Sequence, residues 1–398
     1  MENAVKSTSN PFKDFFESER NSGIILIFCV FIALIMANSP LQDFYFGILS
    51  HKMGVVFDDF VLRKSIEHWI NDGLMAVFFL LVGLEIKREI TRGELSSFQK
   101  ASLPIAAAFG GMFIPAAIFL LFNAGEPTVR GWAIPMATDI AFALGILSLL
   151  RDRVPNSLRV FLAALAIVDD LGAIIVIAIF YTHQLLWINL LIGAGIVLFL
   201  LSMNRMGVRK WVAYIIPGIL LWYFVYKSGI HATIAGVLLA LTIPSENEDG
   251  GSMLEQLEHA IQKPVNYLIM PIFALANTGV IIESHALDGF NTPLSMGIIF
   301  GLLAGKCLGV FVFSWFAVRS GLSVLPENAR WGHIAGVGFL SGIGFTMSIF
   351  ISLLSFNGAE FQSIAKISIL TASITSGTIG YVILRKIKNG QSVIVTGK

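Results

Sequence analysis

The chain has 398 residues, 56% of them hydrophobic and only 13% charged, with a formal net charge of +1. Soluble domains carry about a quarter charged residues, so this composition is that of an integral membrane protein. The near-neutral balance speaks against nucleic acid as a partner. Cys29 and Cys307 each lie in an apolar run and read as small buried hydrophobes, not as a disulfide or a metal pair.

The first 22 residues mix charges and lack a small-residue cleavage site, so they read as an amphipathic segment on the cytoplasmic face and not as a removable signal peptide. A helix needs ~20 largely apolar residues to cross a bilayer. Twelve such runs follow, near 23–38, 69–89, 101–123, 131–150, 157–180, 185–202, 211–226, 230–243, 258–281, 295–317, 331–354 and 363–385. They make residues 23–385 a single transmembrane domain, with a tail at 386–398. The seventh and eighth runs are short and separated only by "YKSG". Within the loop 39–68, "DFYFGILSHKMGVVFDDFVL" has strand-like stretches around Gly54, consistent with a small β-hairpin or with an irregular loop.

Lysine and arginine set the orientation. Of 27 such residues, 20 fall in the N-terminal tail, the loops on its side and the C-terminal tail, six fall in the opposite loops, and Lys306 lies within a span. Both termini are therefore expected in the cytoplasm, with loop 39–68 outside.

Charged residues inside spans are rare and face a cavity or a partner. Asp139 stands in "IPMATDIAFALG", Asp169 and Asp170 in "AIVDDLGAIIV", and Lys306 in "LLAGKCLGVF", each near the middle of its span. Transporter sites lie at that depth. Adjacent helical residues point about 100° apart, so Asp169 and Asp170 cannot both face one ligand. One can hold a cation while the other reaches a neutralising partner, and Lys306 is the intramembrane cation available.

Two runs look interrupted. Pro135 precedes "MATD" in the fourth, and proline removes a backbone donor. The eleventh carries Gly336, Gly338, Gly342 and Gly344 within "GVGFLSGIG". The glycines could mark an unwound helix or only allow close helix packing. Spans 3–5 and 10–12 each form a trio with an interrupted middle member, running in opposite directions, which favours the unwound reading.

Seven segments in order, "MAVFFLLVGLEIKREI", "PMATDIAFALG", "AIVDDLGAIIVIAIFYT", "SGIHATIAGV", "LIMPIFALANTGV", "GKCLG" and "GFLSGIGFTMSIF", resemble the NhaA-type sodium/proton antiporters of bacterial inner membranes. The resemblance covers residues 11–385. It implies an all-α polytopic protein of twelve helices with two inverted three-helix repeats, discontinuous helices 4 and 11, and a homodimer held partly by an external β-hairpin. It implies that Asp170 is the main sodium and proton carboxylate, that Asp169 is its neighbour paired with Lys306, and that Thr138 and Asp139 are polar groups of the unwound stretch. It further implies that Glu85, Arg88, Glu89, Glu258, His259 and His231 serve the pH response.

Sodium is a hard cation that wants oxygen ligands. Asp170, Thr138, a carbonyl of the broken segment and water can supply them, and a proton competes for the same oxygens. The expected activity is electrogenic, pH-regulated exchange of cytoplasmic Na+ (or Li+) for external H+, with Lys306 or Asp169 carrying a second proton and no cofactor. Lys306 has a second reading, in which it offsets helix C-terminal dipoles. An intramembrane aspartyl protease would pair Asp139 with Asp170, but "GxGD" is absent and Lys306 would have no role. A cation channel would use rings of carbonyls or acids, whereas this chain offers one asymmetric site.

Overall fold

A computed structural model describes residues 11–57, 60–150, 153–182, 184–245, 252–282 and 288–387. Residues 1–10 of the expected surface segment and 388–398 of the tail lie outside them. Helix α1 runs unbroken over Pro11–Ala37, so residues 11–22 continue into the first span and are not set off from it. Its chain then turns by 110° into α2, Gln42–Ser50, a helix the sequence reading of loop 39–68 does not contain.

Strands β1 (Lys52–Phe57) and β2 (Phe60–Ser65) pair antiparallel from Lys52↔Ser65 to Phe57↔Phe60. Gly54 lies within β1 and not at the turn. It sits mid-strand opposite Arg63 at φ 151°, where a Cβ would lie 1.9 Å from the Leu62 carbonyl oxygen.

The remaining chain is a helical bundle. Helices α3 (Ile66–Arg92) and α4 (Phe98–Asn123) precede a 3₁₀ segment, Pro127–Met136. Then come α5 (Ile140–Leu149), α6 (Asn156–Phe180), α7 (Trp187–Arg205), α8 (Val212–Ser228) and the nine-residue α9 (Ile234–Thr242). Helix α10 covers 253–277, and α11 is Pro293–Arg319. Finally α12 (Trp331–Ser341) and α13 (Phe345–Ser355) precede α14 (Ala359–Lys386). Among the described residues six helices are long and apolar enough to cross a bilayer, or nine if each sharply bent pair counts as one span.

Small residues bring the central helices together, as is common where lipid offers no hydrophobic drive. Gly110 of α4 meets Gly309 of α11 so closely that a Cβ on Gly309 would lie 2.1 Å from the Gly110 carbonyl oxygen. Gly301 and Gly305 pack in the same way on Pro135 and Pro115. The stretch Gly301–Gly305 is a single π turn, and Lys306 comes directly after it. Such a turn adds a residue to the helix and re-aims the side chains beyond it. This contact fixes Lys306 against α4, where a Cβ on Gly111 would be 3.8 Å from its Nζ.

Candidate functional site

The two breaks in the bundle meet each other. Proline cannot donate at position 135, and the 3₁₀ segment ends at Met136 with extended backbone at Ala137 and Asp139. In the partner pair, α12 stops at Ser341 and α13 restarts at Phe345. The two pairs bend by 42° and 45°. The broken stretches are stitched by the Asp139 amide donating to the Ile343 carbonyl at 2.7 Å. Ser348 Oγ adds a donation to the Ile134 carbonyl at 2.7 Å. Only Gly342 and Gly344 belong to the second break. Gly336 and Gly338 lie inside α12, packed on Leu384 and on the Cys307 backbone, so for them the close-packing alternative holds.

Asp139 closes two helices at once. Its Oδ1 accepts from Phe142 N at 3.2 Å, capping α5. Its Oδ2 accepts from Thr346 N at 3.1 Å and from the Thr346 hydroxyl, so it also serves the first turn of α13. Helix N-termini carry unsatisfied amides and partial positive charge, and one carboxylate answers both. Thr346 was not singled out in the sequence. Its signal is a hydroxyl in an apolar run directly after a glycine break.

Asp169 is bound on one oxygen. Its Oδ2 receives Lys306 Nζ at 2.5 Å and Thr138 Oγ1 at 2.7 Å, all three side chains being fully buried. The Thr138 hydroxyl also lies 2.8 Å from the Ser341 carbonyl oxygen at the end of α12, so its one proton is shared between two acceptors. The Lys306 ammonium donates to Asp169 Oδ2.

Asp170 is held differently. It is 3% exposed, feels Asp139, Asp169 and Lys306 electrostatically, and its Oδ1 is buried with no hydrogen-bond donor among the described residues. Buried polar atoms nearly always have partners, so this one calls for a ligand. A narrow cavity of about 30 Å³ joins Asp170 and Asp139 to Thr346, Asn266 and Glu85. Glu85 therefore stands between this centre and the cluster one turn further along α3.

In that cluster Arg88 spans Glu258 and Glu89. Its Nε lies 3.1 and 3.0 Å from the two Glu258 carboxylate oxygens, and its Nη1 is 2.7 Å from Glu89 Oε1. Glu89 in turn accepts from Glu94 N at 2.8 Å. His259 is exposed beside Glu258. His231 is not with them. It sits at the opposite end of α3, its Nε2 3.5 Å from Asp72 Oδ1 and its Nδ1 2.9 Å from Thr233 Oγ1. His68 Nε2 approaches the other Asp72 oxygen at 2.9 Å, outside good hydrogen-bond alignment. Neither Asp72 nor His68 was picked out in the sequence, since neither sits in an uninterrupted apolar run.

The family described as Na+/H+ antiporter 1 matches residues 13–384. The chain belongs to that family. A relative named Na(+)/H(+) antiporter NhaA 2, from Flavobacterium johnsoniae, is 54% identical over 374 residues, 94% of this chain and 92% of its own. Na(+)/H(+) antiporter NhaA 1 of Clostridium beijerinckii is 51% identical over 394 residues, 98% of each chain. Na(+)/H(+) antiporter NhaA of Bordetella parapertussis is 50% identical over 378 residues, 93% of this chain and 95% of its own. These are transporters and not enzymes, and this family member is a multi-pass membrane protein.

Proposed function

We propose that this antiporter-family chain exchanges Na+ or Li+ from the cytoplasm for external H+ by letting cation and proton compete for Asp170. The observation that carries this reading is the contrast among three neighbouring carboxylates. Asp139 is held by capping on both oxygens and Asp169 on Oδ2 by Lys306 and Thr138 with its Oδ1 bare, while at Asp170, whose Oδ1 also has no donor, no cap or lysine among the described residues holds the group. An oxygen without a donor can take Na+ as a hard ligand or take a proton, and one carboxyl group taking one guest at a time couples the two fluxes. Thr138 and the carbonyls of the extended stretches are the oxygen groups proposed to complete the shell, and Asp139 lines the same cavity as Asp170.

Access alternates from one membrane face to the other by movement of the two crossed broken helices. The helix pairs are the middle members of two inverted trios, α4 to α6 and α11 to α14, within a twelve-span fold. Transport is electrogenic, with Lys306 or Asp169 moving the second proton when their pair separates. The Arg88–Glu258–Glu89 cluster, Glu85, His259 and His231 set the pH response. The protein works as a homodimer in the bacterial inner membrane with both termini in the cytoplasm, and the β1–β2 hairpin lies outside.

The test is sodium-driven proton movement in inverted membrane vesicles across a pH series, comparing wild type with Asp170→Asn. The variant should show no exchange at any pH. A fully active Asp170→Asn protein ends the proposal.

A further inference from the structure

One buried charge takes no part in the exchange site. Lys366 of α14 is only 9% exposed, and no hydrogen bond or ion pair joins it to a described residue. A buried cation answered only at a distance, here by Glu67, is costly in a membrane protein and marks a functional site. Lys366 lines a cavity of about 810 Å³, formed where α2, the start of α3, the end of α10 and the starts of α11 and α14 come together. That volume is in the range of ligand pockets, about 300 to 1,000 Å³.

The charges in this cavity are ordered. Lys366 is buried, Glu67 is half-buried and acts on it electrostatically, and Glu360 is exposed six residues before Lys366 on α14. Six residues are about 9 Å along a helix. The Thr292 hydroxyl in the wall is spent on the Gly289 carbonyl, and Phe46 and Leu49 of α2 give apolar wall. Ile281 in the wall and Phe44 and Ile48 on α2 are exposed apolar side chains. A simple anion entering here would meet two carboxylates, and a simple cation would meet the lysine. A zwitterion with its anion inward and its cation outward satisfies both.

We propose that this cavity binds a phosphoethanolamine group, the phosphoryl oxygens accepting from Lys366 and the primary ammonium donating to Glu360 and Glu67. The group comes from a phospholipid of the surrounding leaflet, whose acyl chains lie along the exposed apolar surface beside α2. This site is independent of Asp170 and of the exchange reading.

The experiment is thermal unfolding of the purified full-length protein in detergent, titrated with a short-chain phosphatidylethanolamine, the matching phosphatidylcholine, free phosphoethanolamine and inorganic phosphate. Phosphatidylethanolamine should raise the melting temperature saturably, and phosphatidylcholine, whose quaternary ammonium cannot donate, should do so at least about tenfold more weakly. A charge-assisted hydrogen bond is worth about 1.5 to 3 kcal/mol, about tenfold or more in half-saturation. Lys366→Gln should lose the effect, Lys366→Arg should keep part of it, and the exposed Glu360→Gln, which leaves folding intact, should erase the preference over phosphatidylcholine. Equal stabilisation by free phosphoethanolamine would overturn the lipid source. No saturable effect of any of the four, or one unchanged in both Lys366→Gln and Glu360→Gln, would overturn the site.

Discussion

Asp139 invites a quantitative test, because its carboxylate is the single cap for two helices that belong to different parts of the chain. In Asp139→Ala three donors lose their acceptor: Phe142 N, Thr346 N and the Thr346 hydroxyl. Each lost N-cap costs about 1 kcal/mol, and a hydrogen bond to a charged group is worth about 1.5 to 3 kcal/mol. The alanine variant should therefore lose about 3.5 to 5 kcal/mol, less whatever water recovers. Asp139→Asn keeps one carbonyl oxygen, which can cap either α5 or α13, while its amide nitrogen cannot accept from the other. It should lose roughly half as much as alanine on the same capping arithmetic. The assay is chemical unfolding in detergent, with sodium-driven proton transport measured on the same preparations. The expected stability order is Asp, Asn, Ala. If Asp139→Ala unfolds at the wild-type midpoint, the double cap is not holding the crossed helices, and the reasoning fails.

Further outcomes can be checked on the same footing. Asp170→Asn should abolish exchange yet unfold at or above the wild-type temperature, because a carboxylate whose Oδ1 has no donor gives nothing to stability and costs desolvation; a large loss of stability would contradict this. Thr138→Val removes the hydroxyl 2.7 Å from Asp169 Oδ2, and the sodium concentration for half-maximal exchange should rise about tenfold or more, while Thr138→Ser should stay near wild type. Lys306→Gln strands Asp169, and breaking a buried pair in this way costs about 3 to 5 kcal/mol; the charge moved per sodium should fall, and unchanged stoichiometry in reconstituted vesicles would remove Lys306 as the second carrier. Arg88→Gln and Glu258→Gln should each shift the pH profile of transport, whereas the double variant should shift it by less than the sum, since the two side chains meet at 3.0 Å.

The part of the site legible in the sequence was chemistry that is expensive in oil. Four charged side chains in apolar spans announce themselves, and the pairing of one of the two adjacent aspartates with Lys306 is inferable because few cations are in reach; that it is Asp169 follows only from the family resemblance and the geometry. Pro135 likewise marks its break, since the missing amide is a local property. The glycine cluster was harder, because glycine answers two different demands with one residue type. Gly336 and Gly338 serve helix contacts made by Leu384 and Cys307, whereas Gly342 sits at the break with the Leu302 carbonyl 2.3 Å from where its Cβ would be. Nothing in a local window separates these cases. The Asp139–Thr346 contact joins residues 207 positions apart, so it appears only once the two breaks are crossed. The π turn before Lys306 leaves no local signal either, as it is set by the fit of Gly301 and Gly305 to Pro135 and Pro115. Lys366 escaped for a simpler reason: near the start of its span it looks like a loop cation, and only the packing of α2, α10 and α11 around α14 buries it.

The three aspartates also explain why one site needs so many charges. A carboxylate that already accepts several protein donors has little left for a guest, and removing those donors is expensive. Asp139 is in that state on both oxygens, which suits a group holding two helix ends together. Asp169 is engaged on Oδ2 alone, with Oδ1 bare, so it is intermediate: fixed while Lys306 stays, and open to a proton if Lys306 leaves. Asp170 has neither restraint. On the proposed exchange reading, ordering the acids by the donors they already hold orders them from scaffold to carrier. A displacement of α13 relative to α5 must either break the Asp139 contacts or carry Asp139 along. In the second case the double cap moves as one body past Asp170 on the continuous helix α6, changing which side of the carboxyl is open without unfolding either helix end.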